Sequence, residues 1–280
     1  VPNVGLARLS VIPLISLEDP YFGNIVLMSN GATAANANFV DISPKHRQPI
    51  NPCTITRGGE FAYYGPTSMY FNGVNDYLEI PNTGDFTFGA EDFTLELWTR
   101  NEYQPNGTQG TAVLIGQQDM EVFSSSLRTL AWGIWLPWRQ TPAGEFHTIS
   151  GQHLPEINAT AVNWTGQWAH VVLMRLGGSL RLFIDGVGGS IVTLTGSTDC
   201  VSSSHNIIIG AAKQPGGYTN FFKGYIDGIR FTRGVARYPM NTSFTPPAVA
   251  FNDASFVVTS IDPYYANIEL LLHFDGIGGG

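Results

Sequence analysis

Charge is scarce in this 280-residue chain: Asp, Glu, Lys and Arg together make up 13% of it. That shortage leaves little to clothe long solvated helices, whereas 32 Gly, 17 Pro and 12% aromatic residues supply turns and strands. Positive charge is scarcer still, with 14 Lys and Arg against 22 Asp and Glu and a formal net charge of −8. A nucleic-acid surface needs clustered Lys and Arg to displace counterions, so no nucleic-acid partner is expected. Cysteine occurs twice, at Cys53 and Cys200, without CxxC or Cys/His ligand spacing, which excludes a disulfide scaffold and a zinc knuckle. A single Cys53–Cys200 bridge, or two thiols in a protein assembled in a reducing cytoplasm, both stay open. No uncharged apolar run approaches the roughly 18 residues of a membrane-spanning helix, so no membrane insertion is expected. Residues 4–17 carry Arg8 and an apolar run, but Pro13 splits it and no small-residue cleavage site follows; the segment reads as an extended arm.

What is present is a series of short strand-like runs separated by turn residues. They fall at 24–28, 68–72, 76–80, 93–99, 111–115, 131–136, 168–176, 179–185, 190–194, 205–209 and 221–232. Such spacing fits an all-β jelly roll. Asn72-Gly73, Gly177-Gly178 and Asp185-Gly186 are turn signals, and 168–176 with 179–185 forms the clearest hairpin. Residues 137–165, with several prolines and little alternation, read as a long excursion over an edge or face. The segment from Asp19 to Leu27 recurs from Asp262 to Leu270, with six identities in nine positions and a displacement of 243 residues. A period of one domain predicts tandem sandwiches in a longer chain. The expected layout is therefore an arm at 1–18, one domain at 19–250, and at 251–280 a linker and the start of a second repeat.

The run 221–238, FFKGYIDGIRFTRGVARY, closes the series. Strict alternation places Tyr225, Asp227, Ile229 and Phe231 on one face, with Asp227 among packed aromatics, and Ile226, Gly228 and Arg230 on the other. Five phrases resemble, in order, the laminin-G-like branch of the concanavalin A-like lectin/glucanase superfamily. They are Ser68–Pro81, Phe93–Trp98, Trp168–Val172, Leu182–Gly186, and Ile207–Gly210 with Gly224–Arg230, and the resemblance covers about residues 19–250. It implies a concanavalin A-like jelly-roll β-sandwich of two antiparallel sheets. The closing phrase, through Pro247, is similar to phrases in bacteriophage virion proteins.

The resemblance implies a binding or structural module for glycans or proteins, although fold alone does not settle the ligand. In relatives a calcium ion can sit at the rim, and the matching positions are Asn75, Asp76 and Asp227. The competing reading has Asp76 capping a turn and Asp227 taking backbone hydrogen bonds. Calcium prefers six to eight oxygens, and no Asp-rich loop is present. The superfamily's glucanases carry paired carboxylates on one strand. Here Asp92 and Glu96 share a face with Thr94 between them, so no enzymatic activity is expected. The histidines lack a serine elbow or HExxH spacing, and His170 reads as a satisfied strand residue.

Among the indoles, Trp132 and Trp98 read as core. Trp135, Trp138 and Arg139 lead into the long excursion and offer a stacking face beside a planar donor fork. Four Asn-x-Ser/Thr triplets, at Asn106, Asn158, Asn163 and Asn241, suit a secreted lectin and are silent in a virion protein. The expectation is a non-enzymatic bacteriophage tail, fibre or capsid-surface protein, assembled in the host cytoplasm. Its partners would be host glycan, neighbouring virion proteins or further copies of itself. The alternative is a secreted calcium-dependent carbohydrate-binding lectin domain.

Overall fold

The computed structural model describes residues 19–30, 39–50, 56–58, 61–64, 67–102, 111–118, 130–136, 142–147, 153–158, 165–194, 200, 204–214 and 216–251. The expected arms at 1–18 and beyond 251, the second copy at 262–270 and Cys53 lie outside these residues. Among the described residues, nearly all regular structure is β, and the domain runs from Pro20 to Asp253.

The nine-stranded sheet is organised around its longest strand, β17 (Lys223–Arg233). One side of β17 pairs with β5 (Phe93–Asn101); on the other, β3 (Ser68–Asn72) takes its first half and β1 (Ile25–Ser29) its second. Outward from β5 come β10 (Trp168–Leu176) and β11 (Ser179–Ile184), joined by Gly177-Gly178, both in the left-handed region, as a two-residue hairpin demands. The short β12 (Val187–Gly188) and β13 (Val192–Thr193) share the outer side of β11, and β2 (Thr56–Gly58) flanks β3. The six-stranded sheet has the order β4 (Leu78–Ile80), β14 (Ile207–Ile209), β6 (Ala112–Gln118), β7 (Leu130–Leu136), β8 (Ala143–His147) and β9 (His153–Asn158). All pairings in both sheets are antiparallel.

Alternation places one face of every long strand between the sheets. Leu95, Leu97, Val171, Leu173, Leu182, Phe71, Trp132, Ile134, Ile207 and Ile209 meet there, fully buried. Phe86 and Phe88, from the loop after β4, close one end of this layer against Phe93, Trp132 and Phe231. Trp132 points its Nε1–H at Gln117 Oε1, 3.0 Å away, which satisfies the indole inside the apolar layer.

Three local expectations are corrected by this arrangement. First, β17 does not alternate strictly. Its register with β5 slips between Asp227 and Arg230, and Gly228 there has φ 55°. A Cβ on Gly228 would come within 2.7 Å of the Tyr64 ring. This bulge puts Ile226, Ile229 and Phe231 in the core and leaves Tyr225, Asp227 and Arg230 on the outer face. Second, Trp98 is buried on that outer face under Tyr63 and Tyr64, not between the sheets. Third, the excursion at 137–165 contains β8 and β9, which extend the six-stranded sheet. Pro155 is tolerated because β9 is an edge strand. Asn72-Gly73 is a turn, as expected, and leads from one sheet to the other, because β3 and β4 belong to different sheets.

A strap from Gly234 to Phe251 crosses the outer face of the nine-stranded sheet. Thr94 Oγ1 donates to Val235 O, Arg181 Nη1 to Met240 O, the Phe244 N–H to Gly186 O, and Tyr64 OH to Pro247 O. Asn30 then exchanges two hydrogen bonds with the Phe251 backbone. Met240 and Phe244 lie on Val172, Met174 and Phe183, burying an apolar face that the sheet would otherwise expose.

Candidate functional site

One end of the sandwich carries the turn from β3 to β4 and the tight turn from β11 to β12. There β3, β5, β7 and β11 finish, β4, β6, β10 and β17 begin, and the two sheets are tied by Phe222 N–H to Gly210 O and Val113 N–H to Asn220 O. Asn75, Asp76 and Trp135 all come to this rim; Trp138 and Arg139 lie outside the described residues.

The Asn72–Asp76 turn is closed on itself. Asn72 Oδ1 accepts N–H groups from Val74, Asn75 and Asp76, Asn72 Nδ2 donates to Asn75 Oδ1, and Asp76 Oδ2 accepts the Asn72 N–H at 2.9 Å. Asp227 stands apart. It is four residues further along β17 than Lys223, the partner of Asn72, or roughly 13 Å at the rise of a strand. Its carboxylate accepts the N–H groups of Tyr63, Tyr64 and Gly228 at 2.8–3.0 Å. Burial raises its pKa to about 6 despite those three bonds. Among the described residues no group of three or more His, Cys, Asp or Glu is placed to hold a metal. Asn75, Asp76 and Asp227 therefore do not fit one calcium ion.

Trp135 is only 9% exposed and packs on Val113, Ala143 and Ala212, with Nε1 buried and lacking a partner among the described residues. Its ring is a wall of the rim, not an open stacking face. Ala212 belongs to a hairpin, β15 (Ala212–Gln214) and β16 (Gly217–Thr219), that lies over the outer face of the six-stranded sheet. From it Lys213 Nζ and Tyr218 OH reach Glu79 at 2.7 and 2.5 Å, joined by Asn206 Nδ2 at 2.8 Å. Burial pushes the Glu79 carboxyl up, but these three donors outweigh it and hold the group below its ordinary value. Tyr218 also stacks on Tyr77 at 3.7 Å. Sequence reasoning missed this cluster because Glu79 and its donors lie more than 120 residues apart, and nothing near Glu79 announces them.

On the other sheet, Glu96 is fully buried beneath the strap. Arg230 Nε holds one oxygen at 2.8 Å, while His170 Nε2 and Tyr238 OH hold the other at 3.0 and 2.6 Å. Burial alone would raise this carboxyl, but the Arg230 charge and the His170 contact bring it down to about 2. His170 is satisfied at one nitrogen only, since Nδ1 has no partner among the described residues. Asp92, the other carboxylate of that strand face, is half-buried and accepts the Gly177 N–H. Beside the strap, Tyr63 lies flat on Trp98 with centroids 3.6 Å apart, and Trp168 stands next to it.

Two comparisons bear on this architecture. Residues 72–236 match the family model of the concanavalin A-like lectin/glucanases superfamily. Solved structures of similar fold include the binding domain of Paraclostridial Mosquitocidal Protein 1, with 15% identity, a TM-score of 0.56, and coverage of 83% of this chain and 51% of that one. The serotype D botulinum neurotoxin ligand-binding domain, in complex with N-acetylneuraminic acid, gives 9%, 0.53, 76% and 48%. The botulinum neurotoxin DC binding domain, in complex with rat synaptotagmin II, gives 11%, 0.51, 83% and 50%. The chain thus spans about half the length of these structures, and at such identities the likeness is one of fold. No curated protein matches the sequence. With more than half its residues covered by the family model and two antiparallel sheets closing on one core, the chain belongs to the concanavalin A-like lectin/glucanases superfamily.

Proposed function

We propose that this chain is a non-enzymatic adhesion module, presenting its loop-bearing rim to a glycan or a protein on the outside of a bacteriophage particle. The non-enzymatic part rests on one observation. Glu96, the carboxylate on the strand face where a hydrolase would need one, is sealed under the strap with three partners. A general acid must meet its substrate and hold a proton near working pH; Glu96 does neither. What the rim offers instead is aromatic surface, with Tyr63 on Trp98 over one sheet and Tyr77 on Tyr218 over the other.

Support for binding also comes from the neighbours in fold, one bound to N-acetylneuraminic acid and another to synaptotagmin II. Support for the virion setting comes from the likeness of residues 221–247 to phrases in phage virion proteins. Neighbouring virion proteins or further copies of this chain would be the resident partners, host glycan the transient one.

A particle reconstruction combined with glycan binding tests this reading. Density for the chain on the particle surface, with the rim against host glycan or a neighbouring subunit and no turnover of polysaccharide, is the expected result. Saccharide release that Glu96→Gln abolishes would overturn the non-enzymatic assignment, and absence of the chain from purified particles would overturn the virion assignment.

A further inference from the structure

The outer face of the nine-stranded sheet is covered in two pieces, the strap on one side and residues 61–64 on the other. Between them one aromatic surface stays open. Tyr63 has one ring face on Trp98, at 3.6 Å and 16°, yet keeps 36% of its surface exposed. Trp168 stands beside it with centroids 5.9 Å apart and planes at 61°, so the two rings form a corner. Among the described residues neither the Tyr63 hydroxyl nor Trp168 Nε1 has a hydrogen-bond partner. Burial first, and then the charge of Asp185, push the Tyr63 hydroxyl up, keeping it a donor.

Asp185 supplies the acceptor. It sits exposed in the tight turn between β11 and β12, with φ 50°, and Oδ1 takes the His170 N–H at 2.8 Å. That bond fixes the carboxylate and, among the described residues, leaves Oδ2 open. The corner therefore combines a π-face, two donors and one acceptor. An ammonium ion would suit the ring and the carboxylate but could accept from neither donor. A ring bearing hydroxyl groups satisfies all of them, its C–H face on Tyr63 and its hydroxyls both donating and accepting. An acidic sugar would bring its own carboxylate towards Asp185 on a chain of net charge −8.

We propose that Tyr63, Trp168 and Asp185 form a subsite for a neutral pyranose, a proposal that rests on the adhesion reading above and narrows it. The test measures binding of the full 280-residue chain to galactose-, glucose- and mannose-terminated oligosaccharides and to the same oligosaccharides capped with N-acetylneuraminic acid. At least one neutral probe binds, and its capped form binds at least about fivefold more weakly. Tyr63→Ala and Trp168→Ala each lower affinity about tenfold or more, the loss expected of an aromatic anchor. Tyr63→Leu, which keeps Trp98 covered, behaves as Tyr63→Ala does and separates a binding loss from a folding loss. Glu91→Gln, which removes an exposed partner of Arg233 beyond the opposite end of β5, leaves affinity unchanged. Neutral-glycan binding that survives the Tyr63 and Trp168 variants, or a preference for the capped probes, overturns the subsite while the adhesion reading stands. Binding to no glycan at all, together with a rim seated on a virion protein, overturns the subsite and leaves adhesion through protein alone.

Discussion

Two carboxylates on the same sheet face, both fully buried, are held in opposite ways. Glu96 lies under the strap and is neutralised by Arg230, with His170 and Tyr238 completing its shell. Asp227 lies under residues 61–64 and is held by backbone N–H groups alone. Amide dipoles can orient a charge without offsetting the loss of water, whereas a guanidinium does both. One group therefore sits near 2 and the other near 6. The strap half of this face stands on ion pairing, and the half beside the rim stands on backbone geometry.

The sharpest way to break that comparison is to empty the ionic half. Glu96→Ala leaves Arg230 buried without its counter-charge and is expected to cost about 3–5 kcal/mol by chemical denaturation. Gly186→Ala attacks the same half from above. Gly186 has φ 77°, and a Cβ there would overlap the Phe244 carbonyl, so strain and a displaced strap together should cost about 2–4 kcal/mol.

The pH dependence separates the two halves directly. Asp227 rises from an ordinary 3.8 to about 6, so its contribution is complete below 3.8 and lost as pH rises through 6. Glu96 falls from 4.5 to about 2, so its contribution is present above 4.5 and lost as pH falls through 2. Stability should peak between about pH 4 and 5. Asp227→Asn should flatten the neutral limb, a change of about 2–3 kcal/mol between pH 4 and 7, and thermal unfolding across that range checks it. Tyr64 joins the halves, donating to Pro247 O and accepting from Trp98 Nε1, each at 2.8 Å. Tyr64→Phe should cost about 1–2 kcal/mol. The smallest effect lies on the other sheet: Lys213→Met removes a solvent-screened partner of Glu79 and should change stability by less than about 1 kcal/mol.

The strands were legible wherever packing between the sheets imposes alternation. The runs at 68–72, 93–99, 168–176 and 179–185 coincide with β3, β5, β10 and β11 to within two residues. The outer face was far less legible, because its contacts join residues distant in sequence. Nothing near Glu96 predicts His170 and Arg230, 74 and 134 residues away. Gly228 was visible as a glycine, but its left-handed backbone follows from the approach of Tyr64, which alternation alone does not report. β8 and β9 were hidden because edge strands tolerate Pro155 and the breaks in pattern that central strands do not. Trp135 was read as part of an open stacking face, since the hairpin that covers it follows more than 70 residues later. Tyr63, which carries the open ring, lies in a segment that showed no periodicity at all.

The double hydrogen bond between Asn30 and Phe251 has a mechanical consequence. Chain tension would reach this domain at Pro20, beyond the Ile25 end of β1, and leave it at Phe251, which is fixed beside the opposite end of the same strand. The line of force then runs along β1, so its ladder with β17 is loaded in shear, all its bonds at once, instead of being unzipped one at a time.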